Sequence, residues 1–250
     1  MSATPLWRRA VAEGTGTGLL VTVVVGSGIA AAKLSPDDVG LQLLENSFAT
    51  ALGLAVLILM FGPVSGAHFN PVVSAADWWL GQRDGSGLSL RELAAYVPAQ
   101  IIGAIVGAVL ANLMYSEAAV SWSTTDRSEP HLWIGETVAT AGLILLIFSL
   151  VWSGRAAIAP AAVGAYIGAA YWFTSSTSFA NPAVTIGRMF SDTFAGIAPS
   201  SVLGFVFFQV FGAILGAGLV VVLYPTLGSA ADVVVPHADT AESTDSGVTS

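Results

Sequence analysis

Six stretches of this chain, residues 10–32, 47–64, 94–115, 133–153, 157–174 and 200–224, are long, apolar and almost free of charge. Each approaches the roughly 20 residues that a helix needs to cross a hydrocarbon core about 30 Å thick. Hydrocarbon offers backbone N–H and C=O groups no partner, so a spanning segment must satisfy its own, and a helix does. Composition agrees: 54% of the residues are hydrophobic and 10% are charged, against about 25% charged in soluble domains. The expected fold is an all-α membrane protein with six spans.

The first run follows Trp7-Arg8-Arg9 and ends among small residues, which imitates a secretory signal. It is longer than such a signal's apolar core and has a counterpart later in the chain, so it reads as a retained first helix. Arg8, Arg9, Arg83, Arg91 and Arg155 fall on one side of the spans, and Lys33, Arg127 and Arg188 on the other. By the preference of basic residues for the cytoplasmic side, both termini are expected there. Residues 1–228 form the expected membrane domain. The stretch 229–250, with Asp232, Asp239, Glu242 and Asp245 among Ser and Thr, reads as a disordered acidic cytoplasmic tail.

The chain also repeats itself. "QIIGAIVGA" from Gln100 matches "QVFGAILGA" from Gln209, and Asn-Pro pairs recur at nearly the same separation, 70–71 and 181–182. "AEGTGTGLLV" around Glu13 resembles "GETVATAGLILL" around Glu136 more loosely. Two repeats, about 8–116 and 131–226, therefore each carry a Glu early, Asn-Pro in the middle and a Gln late. A second half that begins after three crossings runs inverted relative to the first. Inverted repeats place their shared site near the bilayer midplane, often at interrupted helices.

The Asn-Pro pairs supply the interruption. Pro costs about 3 kcal/mol inside a helix but is welcome at its first position, and Asn is a preferred cap just before it. Asn70-Pro71 and Asn181-Pro182 therefore predict two short helices of about ten residues each, roughly half a bilayer in length. Coming from opposite faces, they would meet tip to tip. Helix N-termini carry about half a positive charge each, so facing tips oppose cations, while the Asn70 and Asn181 amides can bind the oxygen of a neutral solute. The segments leading into the tips must be non-helical, which is tolerated only where backbone lines a wet cavity or is buried in protein.

These motifs, "HFNPVV" and "FANPAV" in inverted three-span halves, with "AEGTGT" in span one and "YVPAQIIGA" in span three, resemble the major intrinsic protein family of aquaporins and glycerol facilitators. The resemblance implies a passive six-helix channel, packed as a homotetramer with one pore per subunit. Family members narrow the outer mouth with four side chains, one of them an Arg directly after the second Asn-Pro-Ala. Here Val184 stands at that position, and Arg188 follows more than a turn later, where it need not face the same wall. Ungapped counting puts the other three filter positions at Thr50, Ala169 and Ser178. Such a ring is wide and uncharged, suited to larger neutral solutes. Branches with this kind of ring resemble transporters of neutral metalloid acids, arsenite among them. Val72 replaces Ala in the first box and is expected to pack behind the tip beside Pro71, as Ala183 does beside Pro182.

Glu13 and Glu136 are acids inside apolar spans, where a functional role is the first hypothesis. Their symmetric placement suggests that they brace the lead-in segments, as the family's equivalent glutamates do; the rival is a proton carrier in a coupled transporter. Gln100 and Gln209 read as further braces, and His68 as a loop hydrogen-bonder or a pH gate. Asp77 would be relieved by an ion pair with Arg83 or Arg155, and Arg188 and Asp192 have the spacing of a surface pair. The Gly-x-x-x-Gly runs at 14–18, 103–107, 164–168 and 212–216 suit close helix crossings.

No metal-ligand spacing, cofactor loop or nucleophile triad occurs, cysteine is absent, and neither an enzyme nor a nucleic-acid partner is expected. The expected function is passive conduction of small uncharged solutes, among them water, glycerol-sized polyols and metalloid acids. A strict water channel, a proton-coupled transporter using Glu13 or Glu136, and a structural protein with a closed pore are the alternatives.

Overall fold

The computed structural model describes residues 4–82 and 85–224. Arg83 and the acidic stretch 229–250 lie outside them. The described residues form eight α-helices and no strands: α1 Leu6–Leu34, α2 Val39–Ser65, α3 Pro71–Gly81, α4 Leu90–Met114, α5 Pro130–Trp152, α6 Ala159–Phe173, α7 Pro182–Arg188 and α8 Pro199–Leu223. Six of the helical segments are long and apolar enough to cross a membrane; the fifth comprises α6 and the 3-10 turn Ala156–Ile158 ahead of it. α3 and α7 are the short helices begun by the Asn-Pro pairs.

Contacts between elements repeat across the two halves. α1 packs on α2 and α4 as α5 packs on α6 and α8, each short helix touches the last long helix of both halves, and α2 meets α6 while α3 meets α7. The glycine runs make the tightest of these crossings. A Cβ built on Gly103 would lie 2.0 Å from the carbonyl oxygen of Gly14, and one on Gly107 2.1 Å from that of Gly18. At these points α4 and α1 touch backbone to backbone, and Thr22 Oγ1 donates to Gly107 O at 3.0 Å across the seam. The related crossing of α8 on α5 is formed at Gly212 and Gly216, against the carbonyls of Thr137 and Ala141 at 2.5 and 2.4 Å. Gly103→Ala should force α1 and α4 apart and cost about 1–3 kcal/mol. Thermal unfolding in detergent checks this; an unchanged melting temperature would mean the seam has slack that the geometry denies it.

α7 is shorter than the ten residues expected: it has 7, against 11 in α3. The chain beyond it is captured from outside. The Met189 and Phe190 carbonyls accept from the backbone N–H groups of Ser123 and Ser121 at 2.9 and 3.2 Å, and Asn112 Nδ2 also donates to Phe190 O at 3.0 Å. These bonds tie the chain beyond α7 to α4 and the segment after it at the point where α7 ends.

Candidate functional site

Asn70 and Asn181 cap their helices as the sequence suggests. Asn70 Oδ1 accepts from Val72 N at 3.1 Å, and Asn181 Oδ1 accepts from Ala183 N and Val184 N at 3.0 and 3.2 Å. Their amide nitrogens cross between the halves: Asn70 Nδ2 donates to Ala180 O and Asn181 Nδ2 donates to Phe69 O, both at 2.7 Å. Each tip is thus tied to the backbone just ahead of the other. Each Nδ2 carries two hydrogens, so one is committed to this tie and the other remains for a solute. Val72 and Ala183 are buried in the core behind the tips.

The two lead-in segments share one backbone form. Gly66, Ala67 and Phe69 have φ of 89°, 52° and 51°; Thr177, Ser178 and Ala180 have 61°, 51° and 47°. Left-handed conformations cost non-glycine residues about 1–3 kcal/mol each and persist only where the surroundings impose them. The buried carboxylates do this. Glu13 accepts from His68 N at 3.0 Å, Phe69 N at 2.7 Å, Ser65 Oγ at 2.6 Å and Gln100 Nε2 at 2.8 Å. Glu136 accepts from Phe179 N and Ala180 N, both at 2.9 Å, and from Gln209 Nε2 at 2.5 Å. In each half the two residues before the asparagine are held by one carboxylate. All these partners donate, so neither acid has to supply a proton to satisfy them, a pattern that favours bracing over proton carriage.

Gln100 and Gln209 extend the braces to hydroxyls on the short helices. Gln100 Nε2 donates to Ser74 Oγ at 2.9 Å, and Gln209 Nε2 donates to Thr185 Oγ1 at 2.8 Å. Ser74 and Thr185 escaped sequence reasoning, although a signal was present: a hydroxyl stands four residues after the asparagine in both boxes. His68 Nδ1 lies 3.1 Å from Ser74 Oγ, and its ring meets Tyr96 edge-on. Tyr96 in turn donates to Ser65 O at 2.8 Å, which ties the first lead-in to α4.

A cavity of 610 Å³ runs past both tips. Thr50, Ser178 and Val184 line it, together with Asn70, Asn181 and His68. Ala169 does not: it is exposed on the other side of α6, and Ile167 and Tyr171 face the cavity instead. Two residues turn a helix by about 200°, so a two-residue offset exchanges one face for the other. α6 stops at Phe173, with residues 174–176 between it and the lead-in, whereas α2 runs to Ser65 directly before its own. Tyr171 OH lies 3.2 Å from Thr50 Oγ1, joining α6 to α2 at the cavity wall.

Arg188 also departs from expectation. It lines the cavity on the same side as Val184, since four residues make 400° and return close to the same face. It is 2% exposed, and its Nε donates to Ala195 O. It does not pair with Asp192, which accepts instead from Thr124 N and Oγ1 at 2.9 and 3.1 Å. Nor does Asp77 pair with Arg155: Asp77 Oδ2 accepts from Leu88 N at 2.8 Å, and Arg155 Nε donates to Ser153 Oγ at 3.0 Å. Arg127, read from the sequence only as an outer charge, is drawn to the site. Its Nε donates to Gly196 O at 3.0 Å and its guanidinium lies 5.1 Å from the Phe179 ring. Burial among these neighbours pushes the Arg127 pKa down from its ordinary value.

Residues 1–180 match the family described as Major intrinsic protein. The chain is similar to aquaglyceroporin AqpS of Rhizobium meliloti (strain 1021), 48% identical over 86% of this chain and 89% of the relative. It is also similar to the glycerol uptake facilitator protein of Pseudomonas aeruginosa, 30% identical over 85% of this chain and 87% of that one. Among solved structures, the aquaglyceroporin from Plasmodium falciparum shares the fold with a TM-score of 0.64 at 20% identity, covering 88% of this chain and 96% of the other.

Proposed function

The chain belongs to the major intrinsic protein family, a multi-pass integral membrane protein, and on that premise we propose that it is a passive channel for small uncharged solutes. Water and glycerol-sized polyols are the cargo, with neutral metalloid acids such as arsenite beside them. The observation that carries this reading is the 610 Å³ cavity passing both asparagine tips, with walls drawn from both halves. The relatives named for glycerol uptake and aquaglyceroporin activity support the solute class.

Selection falls to the stretch between Asn181 and the outer loop. Thr50 and Tyr171 present hydroxyls on one side and Ser178 another, and Ser178 Oγ has no hydrogen-bond partner among the described residues. Val184 adds an aliphatic surface where a guanidinium would narrow the passage. A polyol can exchange hydration for these hydroxyls and the free Asn hydrogens while its carbon edge lies against Val184, Leu20 and Val24.

The subunit is proposed to work as a homotetramer with one pore each and with both termini in the cytoplasm. Exposed apolar side chains on α2, among them Phe48, Leu52 and Val56, offer a surface to lipid or to neighbouring subunits.

Stopped-flow measurements on proteoliposomes test the proposal. Glycerol influx is expected several-fold above bare lipid and indifferent to an imposed proton gradient. Flux that requires the gradient would replace the channel with a carrier, and flux equal to bare lipid would reject transport altogether.

A further inference from the structure

We propose that Arg188, one helical turn outward from Val184, where the family's usual filter arginine would stand, is a specificity-determining residue that excludes cations from this pore. The inference rests on the channel reading above and adds to it the identity of the charged barrier. Sequence alone points the other way, because Val184 leaves the usual position without charge. The structure restores a guanidinium to the same wall from α7's last residue.

The setting of Arg188 is that of a fixed charge rather than a mobile surface group. Its guanidinium carbon lies 3.4 Å from the Phe179 ring centroid, with Arg127 5.1 Å from the same ring. Phe179 is itself buried, held edge-on by Phe205 at 5.0 Å and by its backbone N–H on Glu136. The two arginines donate to successive carbonyls of one loop, Ala195 O and Gly196 O. No carboxylate pairs with either among the described residues, where the ion pairs are Arg9 with Glu92 and Lys33 with Glu117.

An arginine side chain has five N–H donors. Among the described residues one of Arg188's is satisfied, by Ala195 O, and the two terminal nitrogens have no hydrogen-bond partner. A buried, unpaired charge is expensive, and here the polar medium available to offset it is the contents of the cavity that Arg188 lines. A passing solute oxygen can accept from those N–H groups; a cation meets a positive charge that no carboxylate contacts directly, with a second one behind it and Glu136 set further back as the nearest counter-charge acting on both. Neutral oxygen-bearing solutes are therefore drawn past a point that cations are refused. Moving the guanidinium a turn outward, where Val184 rather than Arg flanks the narrow ring, separates charge selection from size selection. The pore can then be wide and still reject cations.

The test measures K⁺ leak and glycerol flux in the same proteoliposomes for the native protein, Arg188→Gln and Arg188→Lys. The ratio of K⁺ leak to glycerol flux should rise about tenfold in Arg188→Gln, the size expected for a unit charge removed several ångströms from the path at an effective dielectric between those of protein and water. Arg188→Lys, which keeps the charge and loses the fork, should hold the ratio near native. An unchanged ratio in Arg188→Gln overturns the proposal, as does an equal rise in both variants. If Arg188→Gln does not fold, Phe179→Leu removes the ring beneath the guanidinium while keeping an apolar contact for Phe205. It should raise the ratio about threefold by letting the charge withdraw, and no rise there overturns the proposal equally. Absence of glycerol flux in the native protein is a distinct result that removes the channel reading first.

Discussion

Val184→Arg is expected to cut glycerol flux roughly tenfold to a hundredfold, the range over which a close-fitting site discriminates against a group it no longer accommodates, while water flux survives within a few-fold. Val184 lines the cavity and is 5% exposed. Thr50, Tyr171 and Ser178 line the same cavity without charge, and Arg188 stands one turn outward from Val184. A guanidinium placed there would reach across the passage toward the Thr50–Tyr171 pair, occupy the width that a three-carbon polyol needs, and leave a path for water alone. The new side chain would sit one turn below Arg188 in a wall where both positions are buried, so its charge must be solvated by the contents of the cavity. Selectivity is therefore compared in preparations whose melting temperature in detergent stays near native. Stopped-flow swelling and shrinkage on matched proteoliposomes separates the two fluxes. Identical selectivity in native and variant would remove the wide ring from the account.

Glu136→Ala should be the most destructive single change. It deprives Phe179 N and Ala180 N of their acceptor at once and leaves Gln209 Nε2 with Thr185 Oγ1 alone. Each buried donor left unsatisfied costs about 1–3 kcal/mol, and the loss falls on a segment whose left-handed residues are held in place by those same bonds. The sum, on the order of 5 kcal/mol, is comparable to the whole stability of a small domain. Little folded protein should be recovered, and what remains should melt far below native in detergent. Glu136→Gln retains one oxygen and should be milder. If Glu136→Ala instead folds normally and loses only gradient-dependent transport, the glutamate is a proton carrier and the bracing role is wrong.

Much of this was legible in the sequence because the bilayer leaves few choices. Charge-poor runs marked the long helices to within several residues, and Asn followed by Pro marked the short ones by a local rule of capping. The repeated Glu and Gln could be matched because each stands in a short motif that recurs in the other half, although Glu13 lies 57 residues before Asn70 and Glu136 lies 45 before Asn181. What escaped depends on contacts that no local rule contains. Tyr171 faces the cavity and Ala169 faces away, which spacing from the second Asn-Pro pair does not reveal. α7 ends early where Ser121 and Ser123 of a distant loop bond to Phe190 and Met189. Arg188 reaches the wall because Ala195 and Phe179 hold it there. Each is a decision made by tertiary structure about a residue whose sequence neighbourhood is unremarkable.

The exchanged amide bonds at the two tips impose an order in time. The Asn70 amide needs a carbonyl 110 residues further along the chain. A ribosome adding about 5–20 residues per second delivers that carbonyl on the order of ten seconds later. Through that interval the first three spans must wait in the membrane with Phe69 and Asn70 lacking their mates, held in shape by first-half contacts such as Glu13 and Tyr96. Assembly of the central passage is therefore a closing event of biogenesis, and a nascent chain truncated before residue 180 has no conducting path to offer.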